Sequence, residues 1–389
     1  MSFVVHNQDP SSKSRFGVLK TGSGEIETPV FMPVCTKAVP KAITSEDLDK
    51  MNFNLIVVNA YHLFLRPGHK EIKDFGGLHE FMNWKGNILS DSGGFQVYSL
   101  SPSARIHDDG VSFKSFLDGS TNFLSPELSI EIQESISSDI MMIFDDCPKP
   151  DSTYSSMLSS IKRTRDWAVR SKKAKKSSNK LFGIVQGGIY DDLRKTSSEQ
   201  MMEIDFDGYA IGGLGLGEGQ EKTYEITEQV CSLLPENKPR YSMGIGKPED
   251  ILNSVELGVD IFDCVIPTRN ARNGTLYTTK GKINIKNSAF TMSDNPIEED
   301  DYNHPCAKFS LGYIKNKVLF KTVSLKHGST RAIAYIFEKT AYISDANDLS
   351  ISRMKEFRNL NNLIIDCLKF KKHPSHFNYD DVLYIHNQL

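Results

Sequence analysis

The sequence predicts an α/β protein: a (β/α)8 barrel with a small subdomain inserted after the eighth strand. Three observations lead there. Eight short apolar runs occur at residues 28–34, 55–59, 87–90, 139–144, 181–186, 208–213, 240–246 and 259–266. Segments of helical periodicity lie between them, and most runs end in glycine or a polar residue. Near-continuous apolar strands alternating with helices mark a parallel sheet covered by helices. Eight such units close into a barrel.

The connecting elements are readable in order. The link from Asp91 to Pro126 is long, and Gly110-Val111-Ser112-Phe113 within it predicts an extra hairpin above the barrel mouth. Ser125-Pro126-Glu127 opens a helix, with Ser as cap and Pro at the first helical position. Its apolar residues Leu128, Ile130, Ile132 and Ile136 follow at helical spacing. A second helix is expected over 157–174. A third follows Pro248-Glu249-Asp250, with Ile251, Val255 and Leu257 on its apolar side. After Ile266 the rhythm breaks into a polar, turn-rich stretch. The expected organisation is a barrel over 1–266, an inserted RNA-binding, zinc-like subdomain over 267–325, and C-terminal helices over 326–389 that complete the barrel. Helical patterns resume at 326–340 and 351–369, and the stretch from His373 carries no readable pattern.

Composition limits the function classes. The 389 residues are 39% hydrophobic, enough for a sizeable core. No apolar run reaches the roughly 18 residues that span a bilayer, so no membrane partner is expected. The N-terminal residues lack a basic region followed by an apolar core, and no secretory signal is expected. Six cysteines, at 35, 147, 231, 264, 306 and 367, are scattered without a disulfide framework. That fits a cytoplasmic protein. The net charge is −3, so nucleic-acid binding would need a local basic surface.

The chemistry gathers at strand ends. Asn59, Asp91, Asp145, Gln186, Gly212-Gly213 and Gly246 follow successive predicted strands, and Asp263 lies on the eighth. The C-terminal strand ends of a barrel form one rim, where active sites sit. Any one of these residues alone reads equally well as a helix cap or turn; the whole set at strand ends does not. Two carboxylates suit glycosidic-bond chemistry, one attacking the sugar carbon and the other moving protons. A further Asp with a Gln and exposed peptide groups can read the edge of a purine-like base. The glycine-rich run from Gly212 to Gly219 lacks the spacing of a dinucleotide loop.

Several motifs then resemble one family, the tRNA-guanine transglycosylases (queuine tRNA-ribosyltransferases). They are Ser90-Asp91-Ser92-Gly93-Gly94-Phe95-Gln96-Val97, Leu63-Phe64-Leu65-Arg66-Pro67-Gly68, Phe182-Gly183-Ile184-Val185-Gln186-Gly187-Gly188 and Ala210-Ile211-Gly212-Gly213-Leu214. The most specific runs from Phe262-Asp263-Cys264-Val265 through Pro267-Thr268-Arg269-Asn270-Ala271-Arg272-Asn273-Gly274. The resemblance covers residues 14–290.

It implies a bacterial-type catalytic subunit that exchanges the wobble guanine of tRNAs with GUN anticodons, in queuosine biosynthesis. Asp263 would be the nucleophile on the ribose and Asp91 the proton acceptor. Asp91, Ser92, Gly93, Gly94, Asp145, Gln186, Gly213 and Leu214 would hold the base, with Phe95 and Met243 sandwiching it. Gly244, Ile245, Gly246, Lys247, Pro248, Glu249 and Asp250 match RNA-contacting positions, as do Thr268, Arg269, Asn270, Ala271 and Arg272. Cys147 and Leu216 sit near the 7-substituent, and the bulk of Leu216 points to 7-aminomethyl-7-deazaguanine as the incoming base. A homodimer is also implied.

The family's zinc site, C-x-C-x-x-C with a later His, is altered. Its positions read Asp301, Asn303 and Cys306, with His327 downstream. Cys306 and His327 are the surviving Zn2+ ligands; the adjacent His304 could substitute for a lost thiolate and Asp301 could offer oxygen, but the lost thiolates weaken affinity for the metal. Apolar packing through Phe309, Leu311, Tyr313 and Ile314 would then hold the subdomain. No organic cofactor is expected.

Two basic clusters call for a choice. The nine Lys and Arg residues between 162 and 180 read better as the solvated face of an outer helix than as a phosphate track. Lys280, Lys282, Lys286, Lys308, Lys315 and Lys317 are better RNA candidates, lying near Arg269 and Arg272 in sequence. Two rival readings stand beside the transglycosylase. A barrel glycoside hydrolase would use two acids but predicts rim aromatics, and only Trp84 and Trp167 are present. A non-catalytic tRNA-binding partner subunit should lack the carboxylates that Asp91 and Asp263 supply.

Overall fold

The computed structural model describes residues 2–296 and 310–315, apart from 42, 101, 102, 150, 279 and 280. The chain divides into two compact units. One is formed by Met1–Val39 and Phe53–Cys264, the other by Pro40–Asn52 and the described residues from Val265 onward. The predicted helices at 326–340 and 351–369, and the whole 326–389 region, lie outside the described residues.

The first unit opens with an antiparallel sheet of β1 (Phe3–Gln8), β2 (Arg15–Lys20) and β3 (Glu25–Thr28). The barrel begins with β4 (Val30–Pro33), β5 (Leu55–Asn59) and β6 (Asn87–Asp91). A second antiparallel sheet follows: β7 (Arg105–His107), β8 (Gly110–Lys114) and β9 (Thr121–Leu124). The barrel resumes with β10 (Ile140–Met142), β11 (Lys180–Val185), β12 (Gly208–Ile211), β13 (Arg240–Ser242) and β14 (Ile261–Cys264). All eight barrel strands pair in parallel in the order β4-β14-β13-β12-β11-β10-β6-β5. A parallel bridge between Val34 and Val57 joins the two ends of that sheet.

Each predicted barrel strand is present, and the deviations have local causes. The run over 208–213 stops at Ile211, because the chain turns at Gly213 with φ 68°. The run over 139–144 shortens to Ile140–Met142. There the buried Gln133 side chain takes the place of a strand partner: its Oε1 accepts from Met142 N at 2.9 Å and its Nε2 donates to Met142 O at 2.9 Å. The hairpin expected between Asp91 and Pro126 is a three-stranded sheet. The helix opened by Ser125 spans Pro126–Ser135, with the Ser125 hydroxyl accepting from Leu128 N at 3.2 Å. The second runs over Tyr154–Ala174 and the third over Pro248–Glu256.

The N-terminal sheet was not expected from the sequence. It packs against the N-terminal ends of the barrel strands. Arg15 on β2 forms a buried ion pair with Asp260 at 2.6 Å and donates to the Glu236 and Lys238 carbonyls. Ser23 donates to Asp139 at 2.6 Å, and Thr21 bonds Asn87. These contacts close the face opposite the C-terminal strand ends, where residues of a barrel serve stability.

In the second unit, the helix Ser45–Lys50 starts with a capping box between Thr44 and Asp47. The helix Ile266–Asn273 ends at Gly274, and β15 (Thr275–Thr278) and β16 (Gly281–Asn284) form a hairpin. Ala271, Ile285, Leu311 and Ile314 form a buried cluster, with Ile283 and Phe290 packed against it. Of the apolar set expected to hold this region, Leu311 and Ile314 are buried, Tyr313 is exposed, and Phe309 lies outside the described residues.

Candidate active site

The barrel fold brings the strand-end residues into one connected cluster. Asp91 ends β6, Asp145 lies three residues beyond β10, Gln186 follows β11, Gly212-Gly213 follows β12, and Asp263 is on β14.

Asp91 is held by four donors. Asn59 Nδ2 and Gln96 Nε2 reach Oδ2 at 2.7 and 2.9 Å, and the backbone N–H groups of Ala60 and Gly93 reach Oδ1 at 3.1 and 3.2 Å. Burial pushes its pKa up to about 8, helped by the nearby Asp263 and Asp145 carboxylates and opposed by the donors. Asp91 therefore carries a proton over much of the neutral range while its orientation stays fixed.

Asp263 is arranged differently. Tyr241 Oη donates to its Oδ1 at 2.6 Å, and Gly244 N–H donates to the same atom at 2.8 Å. Oδ2 accepts no hydrogen bond among the described residues. Burial raises the pKa of Asp263, and both donors oppose that rise. One oxygen is thus pinned and the other left free to react.

Asp145, Gln186 and Gly213 form a second group. Gln186 Nε2 donates to Asp145 Oδ2 at 2.7 Å, and Ser92 Oγ donates to Oδ1 at 3.4 Å. Burial pushes Asp145 up to about 6, so it is mainly ionised at neutral pH. A Cβ on Gly213 would lie 2.7 Å from Gln186 Oε1, and one on Gly94 would lie 2.6 Å from the Asp145 carbonyl. Only glycine permits both approaches. Cys147 is buried, its Sγ 3.7 Å from that same Gly213 Cβ position.

The remaining predicted base contacts are unevenly placed. Ser92, Gly93, Gly94 and Leu214 are buried, Gly213 and Met243 are half-buried, and Phe95 and Leu216 are exposed. The amide groups of Gly215, Leu216 and Gly217 all donate to the Glu218 carboxylate. This glycine-rich run therefore has its donors occupied by its own glutamate, unlike a phosphate-binding loop.

The predicted RNA positions divide by exposure. In the first unit Gly244, Lys247 and Glu249 are exposed and Asp250 is half-buried, whereas Ile245, Gly246 and Pro248 are buried. Gly244 moreover spends its N–H on Asp263. In the second unit Arg269 is exposed, and Asn270 and Arg272 are half-buried. Thr268 and Ala271 are buried, Ala271 within the second unit's apolar cluster. Lys315 is also buried, donating to the Asn287 carbonyl at 2.6 Å, which removes it from the basic candidates. Lys282 and Lys286 are exposed; Lys280, Lys308 and Lys317 lie outside the described residues. On the helix Tyr154–Ala174, Arg163 pairs with Asp146 and Arg170 with Glu127, and Lys172 caps the Ile204 and Asp205 carbonyls.

Asn59, placed on the rim by the strand pattern, is a donor to Asp91. Gln96, Tyr241 and Arg194, whose side chain donates to the Val185, Gly188 and Gly212 carbonyls, had escaped the sequence reading as site residues. Gln96 had a signal, lying inside the Ser90–Val97 motif. Tyr241 and Arg194 had none, since a buried Tyr on a strand and an Arg on a helix are ordinary in sequence.

Asp301, Asn303, Cys306 and His327 lie outside the described residues. Among the described residues no three His, Cys, Asp or Glu side chains group to hold a metal ion. A single thiolate with imidazoles and a carboxylate is a weaker donor set for structural zinc than the three thiolates and one imidazole of the family's pattern. Among the described residues no helix is long and apolar enough to cross a membrane.

Comparison with known proteins agrees with this geometry. The profile of the family described as queuine tRNA-ribosyltransferase matches residues 9–326. The chain is 49% identical over 323 residues to a queuine tRNA-ribosyltransferase of Thermoanaerobacter sp. (strain X514), covering 82% of this chain and 86% of that protein. It is 46% identical over 324 residues to one from Halothermothrix orenii, covering 83% and 87%. It is 44% identical over 363 residues to one from Dictyoglomus turgidum, covering 92% and 93%. The family match spans both carboxylates and the base-side cluster, and the chain belongs to the queuine tRNA-ribosyltransferase family.

Proposed function

We propose that this protein is a tRNA-guanine transglycosylase of queuosine biosynthesis working by double displacement. It exchanges the wobble guanine of tRNAs with GUN anticodons for 7-aminomethyl-7-deazaguanine. The observation that carries the mechanism is the asymmetry of Asp263: Oδ1 takes both hydrogen bonds and Oδ2 takes none.

In the first displacement Asp263 Oδ2 attacks the ribose C1′ and the C1′–N9 bond breaks. The departing guanine takes the proton that Asp91 holds and leaves neutral. In the second, Asp91, now a carboxylate, removes the N9 proton of the incoming base. That nitrogen attacks C1′, the ester to Asp263 breaks, and the configuration at C1′ is restored. Ionised Asp145 accepts from the N1–H and 2-amino groups of the base, and the Gly213 N–H donates to its 6-oxygen. Phe95 and Met243 flank the ring, and Cys147 and Leu216 border the 7-substituent. Arg269 and the exposed Lys247, Lys282 and Lys286 contact RNA phosphates.

The protein works as a homodimer in this reading. Phe75 and Phe81, 60% and 42% exposed, meet edge to face at 5.4 Å and form an apolar patch on the barrel unit. The zinc-like subdomain is held by its apolar cluster, and no step runs through metal. The retained Asp91 and Asp263 favour a catalytic chain over a non-catalytic partner subunit.

The direct test supplies unmodified tRNA carrying labelled wobble guanine together with 7-aminomethyl-7-deazaguanine. Release of labelled guanine with incorporation of the deazaguanine is expected. Absence of exchange, or queuine outcompeting the aminomethyl base, would overturn the reaction or the base assignment respectively.

A further inference from the structure

Behind the base-side cluster sits a charge that the mechanism has not used. Arg194, on the helix Asp191–Ile204, is fully buried and forms no ion pair among the described residues. Its Nε donates to the Gly188 carbonyl at 2.8 Å. Its Nη1 donates to the carbonyls of Val185 at 2.9 Å and Gly212 at 2.8 Å. Nη2 is buried without a hydrogen bond. Burial depresses the guanidinium pKa to about 10, so the group remains charged at neutral pH.

A guanidinium buried without a carboxylate is an expensive way to satisfy three carbonyls. The identity of the carbonyls explains it. Val185 and Gly188 bracket Gln186. Gly212 C=O and Gly213 N–H belong to one planar trans peptide, whose C=O and N–H bonds point in opposite directions. Fixing the carbonyl toward Arg194 aims the Gly213 N–H away from the guanidinium. That N–H donates to nothing among the described residues. A cation on the carbonyl also polarises the peptide and strengthens its N–H as a donor.

We propose that Arg194 is a positioning and specificity residue: through the Gly212–Gly213 peptide it orients and strengthens the donor that selects a base with an acceptor at its 6-position. The proposal rests on the reading of Gly213 N–H as a base contact. It deepens that reading by naming what makes the contact selective.

The test compares guanine with 6-thioguanine, which keeps the N1–H and 2-amino donors but has a weaker acceptor at position 6. Exchange into tRNA is measured as KM for guanine, inhibition constant for 6-thioguanine, and KM for tRNA. Wild type should prefer guanine. Arg194→Met should reduce that preference on the order of tenfold, the effect of losing one charge-assisted hydrogen bond, with KM for tRNA unchanged. Arg194→Lys, which keeps the charge but not the fork, should fall between the two. Should Arg194→Met fail to fold, Arg194→Lys against wild type carries the comparison. Folded variants that weaken both bases equally would overturn the role of Arg194 and leave the Gly213 contact standing. A wild type without preference for guanine would overturn the Gly213 contact, and the proposal with it.

Discussion

Tyr241 Oη donates to Asp263 Oδ1 at 2.6 Å, on the oxygen that also receives the Gly244 N–H. The pair pins one carboxylate oxygen and favours the ionised form of Asp263, the proposed nucleophile, against the upward push of burial. Tyr241→Phe should reduce kcat on the order of tenfold, the scale of a hydrogen bond to a charged group. It should also move the acid limb of the pH–rate profile to higher pH, because Asp263 loses a donor that favours its ionised form. An unchanged acid limb would show that Tyr241 only packs.

The proton carrier makes a separate prediction. Burial pushes Asp91 up to about 8, with Asp263 and Asp145 adding to the shift. In the proposed second displacement the Asp91 carboxylate takes a proton from the incoming base, so the rate of that step should rise with pH through that value. Asn59→Ala removes the 2.7 Å donor to Oδ2 and should move this limb to higher pH. Single-turnover rates at a series of pH values check the direction of the shift.

Stability of the barrel should depend on the N-terminal sheet. Arg15 and Asp260 are both buried and paired at 2.6 Å. Asp260→Ala leaves the guanidinium buried alone and should cost about 3–5 kcal/mol. Denaturant unfolding of the purified variant measures it, and a loss under about 1 kcal/mol would mean that water or a backbone carbonyl replaces the carboxylate.

His79 gives a pH signature to the same face. The Asp139 carboxylate, its Oδ2 3.2 Å from His79 Nε2, raises the pKa of His79 above the ordinary histidine value, against partial burial. The proton is therefore bound more tightly in the folded state. This stabilisation is complete below about pH 6.5, the unfolded value, and is lost as pH rises through the higher folded value. His79→Gln should flatten the decline in melting temperature over that interval.

The subdomain is expected to be independent of zinc. Ala271, Ile285, Leu311 and Ile314 supply an apolar core, and the thiolates of the family's site are reduced to Cys306. Metal analysis should find far less than one zinc per chain, and chelator should leave unfolding unchanged. Stoichiometric zinc lost together with stability would contradict this. The exposed lysines of the region carry their own test: Lys282→Glu and Lys286→Glu should each lower the salt slope of tRNA binding by about one.

The barrel was legible because a strand buried on both faces must be apolar nearly throughout, as Leu55 to Val58 are. The rim was legible because polar residues that singly read as caps or turns recur directly after strand upon strand, and the strand ends of a barrel share one face. The N-terminal sheet escaped because β1 alternates between buried and exposed positions over only six residues, a pattern shared with many loops. Tyr241 and Arg194 escaped for another reason. Their importance lies in which carboxylate oxygen and which carbonyl they reach, and no periodicity encodes that. Ala271 and Thr268 show the converse: a motif aligns whole segments, and the helix Ile266–Asn273 turns some of the matched side chains inward.

The central claim is the covalent bond at Asp263. Enzyme, tRNA and a slowly reacting base analogue are incubated, denatured without heating and separated on a gel. The account predicts an RNA–protein adduct whose ester maps to Asp263, absent in Asp263→Asn and discharged by added guanine. An adduct that persists in Asp263→Asn, or that maps to Asp91, would contradict it.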